Sequence, residues 1–245
     1  MPRLVTIPFS HYCEKARWAL DRAGVEYDED GRPPALHLRA TLPYRSRTVP
    51  LLVTEGAVLT ESRDILRWAD ARMAPSRQIY PTDPAHRHEV EDLEALFDAK
   101  LGHATRRWAF GFILADARRA EELLTTGLTP DARRRFSPMV PVVRRVMQRG
   151  FRVTKEGVER SRERIAAIFA EVSSRLARGG GFLVGDAFSA ADLTFATLAA
   201  PALAPPEWAF LPPKDSLPAP MRDEIDTWRD TPAGRHGLAM FSEHR

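Results

Sequence analysis

Strand-forming sequence in this chain is confined to its first 60 residues, and that asymmetry restricts the fold more than any other feature. Leu4-Val5-Thr6-Ile7 is a β-prone run that Pro8 stops. The stretch from Ser10 to Gly24 then reads as a helix, with Ser10 as N-cap and Gly24 as the stop. Val25 to Asp30 is a second candidate strand. Residues 31–48 are proline-rich and irregular, with room for one short helix. Val49 to Val53 is a third strand, Glu55-Gly56 a hairpin turn, and Ala57 to Leu59 the returning strand. Glu61-Ser62 opens a helix through Arg72 that carries Ile65, Leu66, Trp68 and Ala69 on its apolar side. A strand–helix–strand unit followed by a hairpin and a helix predicts a small mixed sheet with helices on it.

Residues 74–84 hold three prolines and little periodicity, which predicts a boundary between a first domain (1–76) and a second (83–245). Beyond it the pattern is helical throughout. Val90, Leu93, Phe97, Leu101, Ala104 and Trp108 step by 3 and 4, and Ile165, Ile168, Val172 and Leu176 repeat that spacing. Ala190 to Ala200 is apolar nearly all round, so this helix is expected at the centre of its domain. From Pro201 the chain is proline-rich and is expected to loop over a surface, apart from a short helix between Met221 and Trp228. The fold class expected is an α/β first domain with an all-α helical bundle after it.

Composition excludes several function classes. Lysine and arginine total 36 against 33 acidic residues, and a net charge of +3 does not by itself mark a nucleic-acid binder. No apolar run approaches the roughly 18 residues a membrane span needs, and the first residues do not read as a signal peptide. Cys13 is the single cysteine, which leaves no intrachain disulfide and no cysteine-rich zinc site and suits a reducing, cytoplasmic compartment. His86 and His88, two apart on a helix, splay to different faces, and no metal is expected. Asp131 to Arg164 holds 11 basic and 4 acidic residues, readable as a solvated helical face or as a surface that attracts anions.

Four features fall in order along the chain: a strand leading into Ser10-His11-Tyr12-Cys13 at a helix start, Val49-Pro50 at the third strand, Glu61-Ser62 after the hairpin, and Phe188-Ser189-Ala190-Ala191-Asp192 before the central helix. In that order and spacing the chain resembles the cytosolic glutathione S-transferase superfamily over almost its whole length. The resemblance implies a thioredoxin-like first domain that holds glutathione as co-substrate and an all-helical second domain. It also implies attack of the glutathione thiol on a small hydrophobic electrophile, a homodimer, and a role in detoxification.

Ser10 stands where this family keeps its thiol-activating hydroxyl or catalytic cysteine. A free thiol has a pKa near 8.5, so only about 3 % is thiolate at neutral pH. Lowering it by about two units takes roughly 2.7 kcal/mol of differential interaction, within reach of a hydroxyl donor and a helix N-terminus. Read locally, Ser10 is equally a plain helix cap. Cys13 takes the second cysteine position of a thioredoxin-type motif. It is either a thiolate stabilised in the first helical turn or a buried, inert side chain.

Further glutathione contacts follow from the resemblance. Val49-Pro50 resembles the cis-proline step whose Val49 backbone pairs with the ligand. Glu61 and Ser62 resemble the pair that grips the γ-glutamyl end. Arg47 and His37 are both candidates for the glycine carboxylate. Tyr12 and Phe9 flank Ser10, with Tyr12 assigned to glutathione and Phe9 to the second substrate. Arg106, Trp108 and Phe112 are the candidates for that substrate on the first helices after the boundary. Ser189 and Asp192 form a capping-box pattern with a structural role. Two other functions compete: a Cys13-dependent glutathione thiol–disulfide oxidoreductase, and a non-enzymatic binding protein of the same fold.

Overall fold

The computed structural model describes residues 1–245. Strands β1 (Arg3–Thr6), β2 (Asp28–Gly31), β3 (Leu51–Val53) and β4 (Val58–Leu59) form one mixed sheet in the order β2-β1-β3-β4. β1 runs parallel to β2 and antiparallel to β3, with Val5 opposite both Asp30 and Leu51. A parallel pair needs a crossover, and α1 (His11–Arg22) supplies it. The strand period of two divides the faces. Leu4 and Leu52 join the main core with α1 and α3 (Ser62–Asp70), while Val5 and Leu51 pack with Ala40 of the short helix α2 (Leu38–Thr41).

β2 begins three residues later than the sequence suggests. Gly24 takes a left-handed φ of 66° and the Val25 amide bonds back to the Leu20 carbonyl at 3.0 Å, so the chain is still leaving α1 at Val25. Pairing starts when the Asp28 amide reaches the Pro2 carbonyl at 2.9 Å.

After the linker the chain forms α4 (Pro84–Leu96), a π-helical turn (Phe97–Leu101) and α5 (Gly102–Ile113). Then come α6 (Ala117–Leu124), α7 (Pro130–Phe136), α8 (Val140–Gly150), α9 (Lys155–Leu176), α10 (Ala190–Leu203), α11 (Ala219–Arg229) and α12 (Pro232–His244). Every residue of α10 except Pro201 is buried, as its all-round apolarity demands. Val90, Leu93, Phe97, Leu101, Ala104 and Trp108 are buried together. No helix is long and apolar enough to cross a membrane.

The expectation of surface loops after Pro201 fails at α12. Gly234 and Gly237 lower its intrinsic helix propensity, yet tertiary packing needs them. A Cβ on Gly237 would lie 2.6 Å from a Leu203 methyl, and one on Gly234 2.0 Å from the Trp228 carbonyl oxygen. The local signal was Thr231-Pro232: the threonine hydroxyl accepts from the Gly234 amide at 2.9 Å and proline takes the first turn. Phe241 of α12 packs on Trp18 of α1 with ring centroids 5.0 Å apart, and the Trp18 indole donates to the His244 carbonyl at 3.0 Å. The C-terminal helix therefore holds the two halves of one continuous core together.

Candidate active site

A cleft of about 1500 Å³ lies between the sheet domain and the helical domain. On one side it is lined by Phe9 and Ser10 from the β1–α1 turn, His37 and Arg47 around α2, Val49 and Pro50 before β3, and Glu61 and Ser62 at the start of α3. These are distant in sequence. The sheet brings Ser10 and Val49-Pro50 together because β1 and β3 are antiparallel neighbours, so the segment leaving β1 and the segment entering β3 meet at one end of the sheet.

Ser10 is the N-cap of α1, but its side chain makes no capping hydrogen bond. Its hydroxyl is within hydrogen-bond reach of the Cys13 thiol, and the residue lines the cleft. It sits at the positive end of a 12-residue helix, where an anion is favoured. The Val49–Pro50 bond is cis, as the resemblance implies. The Val49 N–H and C=O have no hydrogen-bond partner within the chain. Glu61 is the extended N-cap of α3 and Ser62 its first residue, so α3 also points its N-terminus at the cleft.

Cys13 departs from the expectation of a catalytic thiol. It is completely buried and does not line the cleft. Burial pushes its thiol up to about 11, against weaker downward pulls from the Arg17 guanidinium, the Ser10 hydroxyl and the Ile7 backbone. A position in the first turn of a helix does not create a thiolate when the sulfur is cut off from water.

Tyr12 differs in part. Its ring lines the cleft, but its hydroxyl donates to the Asp98 carbonyl at 2.7 Å and is committed to the domain interface. Burial pushes its phenol well above the ordinary tyrosine value. His11, which the sequence reading passed over, does the same: its Nε2 donates to the Gly102 carbonyl at 2.9 Å. A Cβ on Gly102 would lie 2.4 Å from the Tyr12 oxygen, so the close docking of α1 depends on that glycine. Both acceptor carbonyls belong to the π-helical turn or the residue after it, where the helical ladder is loosened.

Of the two candidate cations, burial disfavours the charged form of His37 and lowers its pKa. Its Nε2 donates to the Arg47 carbonyl at 3.2 Å. Arg47 is exposed and remains the cation on that rim.

The helical wall is built differently from the expectation. Trp108 is fully buried, donates its indole N–H to Glu224 at 2.8 Å, and does not reach the cleft. Phe112 packs edge-on against Trp108, with ring centroids 5.3 Å apart, and is also absent from the lining. The face of α5 that fronts the cleft carries His103, Arg106, Ala109, Phe110 and Ile113. The cleft is also lined by Val142 and Val146 of α8, large apolar side chains that are 66 % and 63 % exposed. The signal for this wall was present: Met139, Val142, Val143, Val146, Met147 and Gly150 fall at i, i+3, i+4, i+7, i+8 and i+11, one face of a helix. The arginines between them drew attention to charge instead.

The arrangement is that of a thioredoxin-like domain facing a helical domain across a largely apolar cleft. Family models agree with it: residues 4–77 match the N-terminal domain of glutathione S-transferases and residues 155–230 the C-terminal domain. The chain belongs to the cytosolic glutathione S-transferase superfamily. No curated protein matches it in sequence. Among solved structures it is similar in fold to the β-etherase LigF from Sphingobium sp. strain SYK-6, at 18 % identity and a TM-score of 0.60 over 97 % of this chain and 98 % of that one. It is also similar to the theta class glutathione S-transferase from Xanthomonas axonopodis pv. citri with glutathione bound (19 %, 0.59, 97 % and 96 %). Glutathione transferase F2 from Populus trichocarpa is comparable (15 %, 0.59, 99 % of each chain).

Proposed function

We propose that the protein is a glutathione transferase in which the Ser10 hydroxyl donates to the glutathione sulfur and stabilises the thiolate. The observation that carries this reading is the position of Ser10: its hydroxyl caps nothing, and the residue lines the cleft at the N-terminus of α1. The thiolate would attack an electrophile lying against the apolar face of α8. One carbon–sulfur bond forms, the leaving group departs with its electron pair, and the thiol proton goes to solvent.

The tripeptide would lie along the sheet edge. Its cysteinyl amide and carbonyl pair with the free backbone groups of Val49. Its γ-glutamyl carboxylate meets the N-terminus of α3 and the Ser62 hydroxyl, and its ammonium group meets Glu61. Arg47 takes the glycine carboxylate. The Cys13 oxidoreductase alternative loses its support with the burial of that sulfur.

Calorimetric titration with reduced glutathione at neutral pH tests the reading. The expected result is saturable binding tighter than about 1 mM, near −4.1 kcal/mol, weakened about tenfold in Arg47→Ala. No binding by the folded protein would overturn it.

A further inference from the structure

Arg106 is a cation that nothing in the chain neutralises. Its guanidinium lies 4.3 Å from the Phe151 ring centroid and 6.0 Å from that of Tyr12. Its Nε is buried without an acceptor. The ionisable groups coupled to it are His11, Tyr12 and Arg107, with no carboxylate among them. Arg17, the deeply buried arginine of α1, is treated differently: it pairs with Glu14 and Glu29. Arg106 as a whole is half-buried, and a cation partly withdrawn from water without a counter-charge carries a desolvation cost that a ligand anion would relieve.

A second cavity of about 350 Å³ adjoins Arg106, lined by His103, Arg106, Arg107, Gly150, Phe151 and Arg152. It contains no acidic residue. His103, Arg106, Gly150 and Phe151 line the main cleft as well, so the two spaces share a wall where α5 meets the end of α8. Arg107 is fixed there by hydrogen bonds to the Phe151 carbonyl at 2.9 Å and Ser161 at 3.3 Å. Arg160 and Arg164 add positive potential behind it. The basic stretch noted between Asp131 and Arg164 is thus partly gathered at the mouth of one pocket.

We infer that Arg106, backed by Arg107 and Arg152, forms an anion subsite at the helical end of the cleft, and that the second substrate is an apolar electrophile carrying an acidic group such as a carboxylate or sulfonate. The apolar body would lie on Val142 and Val146 and the acidic group would meet the planar fork of Arg106. In naming a substrate class this rests on the transferase reading; the subsite itself does not.

The test uses two fluorescent probes of the same shape, 8-anilinonaphthalene-1-sulfonate and the uncharged N-phenyl-1-naphthylamine, titrated into wild type, Arg106→Gln and Arg106→Lys. The expected result is at least a tenfold loss of affinity for the sulfonate in Arg106→Gln, under twofold for the neutral probe, and partial retention of sulfonate binding in Arg106→Lys. Equal changes for both probes, or a wild type that does not prefer the sulfonate, would overturn the inference. Arg106→Lys keeps the charge and the apolar stem, so the comparison survives if Arg106→Gln does not fold. Glutathione calorimetry on the same variants separates the two readings. Failure of wild type to bind glutathione removes the transferase and leaves the probe result to decide the subsite. A loss of glutathione affinity in Arg106→Gln that matches the sulfonate loss would assign Arg106 to the thiol site and overturn the inference.

Discussion

Lys15 of α1 and Glu94 of α4 form an ion pair across the domain interface at 2.9 Å, with neither side chain exposed to solvent. Asp98 accepts from the same ammonium at 3.0 Å, and the Tyr80 hydroxyl donates to Glu94 at 2.9 Å. Arg63, next to Ser62, approaches Glu94 and Asp98 at 3.7 Å each. The helix that would bind the γ-glutamyl group is thereby tied electrostatically to the helical domain.

Removing one member of that pair leaves a buried charge without its partner. Lys15→Met is expected to cost about 3 kcal/mol. Replacing Glu94 with methionine as well should recover part of the loss, because two apolar side chains need no solvation. Chemical denaturation of the single and double variants measures this, and a double variant less stable than either single one would refute the account.

Ser10 and Cys13 should separate cleanly. Ser10→Ala removes the only donor expected at the sulfur and should lower kcat/KM about 10²-fold, in the range seen when one such donor is lost. The pH–rate profile should move to higher pH because the thiolate is then less stabilised. Cys13→Ala should change activity less than twofold and cost about 1 kcal/mol of stability as a small core truncation. With its thiol pushed up to about 11, Cys13 should also resist alkylation at neutral pH in the folded protein. Steady-state kinetics and mass-spectrometric labelling check both.

Asp192 is completely buried and accepts from the Ser189 amide at 3.0 Å, the Ser189 hydroxyl at 2.7 Å, the Leu183 amide at 2.9 Å and His236 at 2.9 Å. Asp192→Ala strands four donors around the start of α10. A loss of about 3 kcal/mol is expected, since hydrogen bonds to charged groups contribute roughly 1.5–3 kcal/mol each and some donors will find water. Residual folded protein at low temperature should keep its turnover. Unchanged melting with lost activity would contradict this structural role.

His11 makes the fold sensitive to acid. Burial, chiefly, and the Arg106 charge lower its pKa to about 3, against an unfolded value near 6.5. The unfolded chain therefore binds a proton between pH 6.5 and 3 that the folded chain refuses, and stability falls as pH falls through that window. At pH 5 the loss is about 2 kcal/mol from this group alone. His11→Gln keeps a donor for the Gly102 carbonyl and should flatten the stability slope between pH 6.5 and 4. An unchanged slope in denaturant melts would place the acid sensitivity elsewhere.

Most of the sheet domain was legible because its signals are local. A β-prone run stopped by Pro8, the Gly24 stop and the Glu55-Gly56 turn each depend on backbone preferences of a few residues. The glutathione-side candidates were legible for the same reason: Ser10, Val49-Pro50 and Glu61-Ser62 sit at element boundaries that the pattern marks. The candidates on the helical wall were not. Helical periodicity puts Trp108 and Phe112, four apart, on one face of α5 and Arg106, two residues before Trp108, on another. It does not say which face meets core and which meets cleft, because that depends on where α9, α10 and α11 pack.

The sequence by itself determined the order of strands and helices in the sheet domain, which helix is central, and which residues stand at the turns beside the cleft. The tertiary structure alone decided the fate of the chemistry-bearing groups. Cys13 lost its reactivity to burial, Tyr12 gave its hydroxyl to the Asp98 carbonyl, and α12 formed despite two glycines because close packing required them. Arg106 was left without a counter-charge. Local preference acts through neighbours in the chain, whereas desolvation and charge pairing act through neighbours in space, and only the packed structure specifies those.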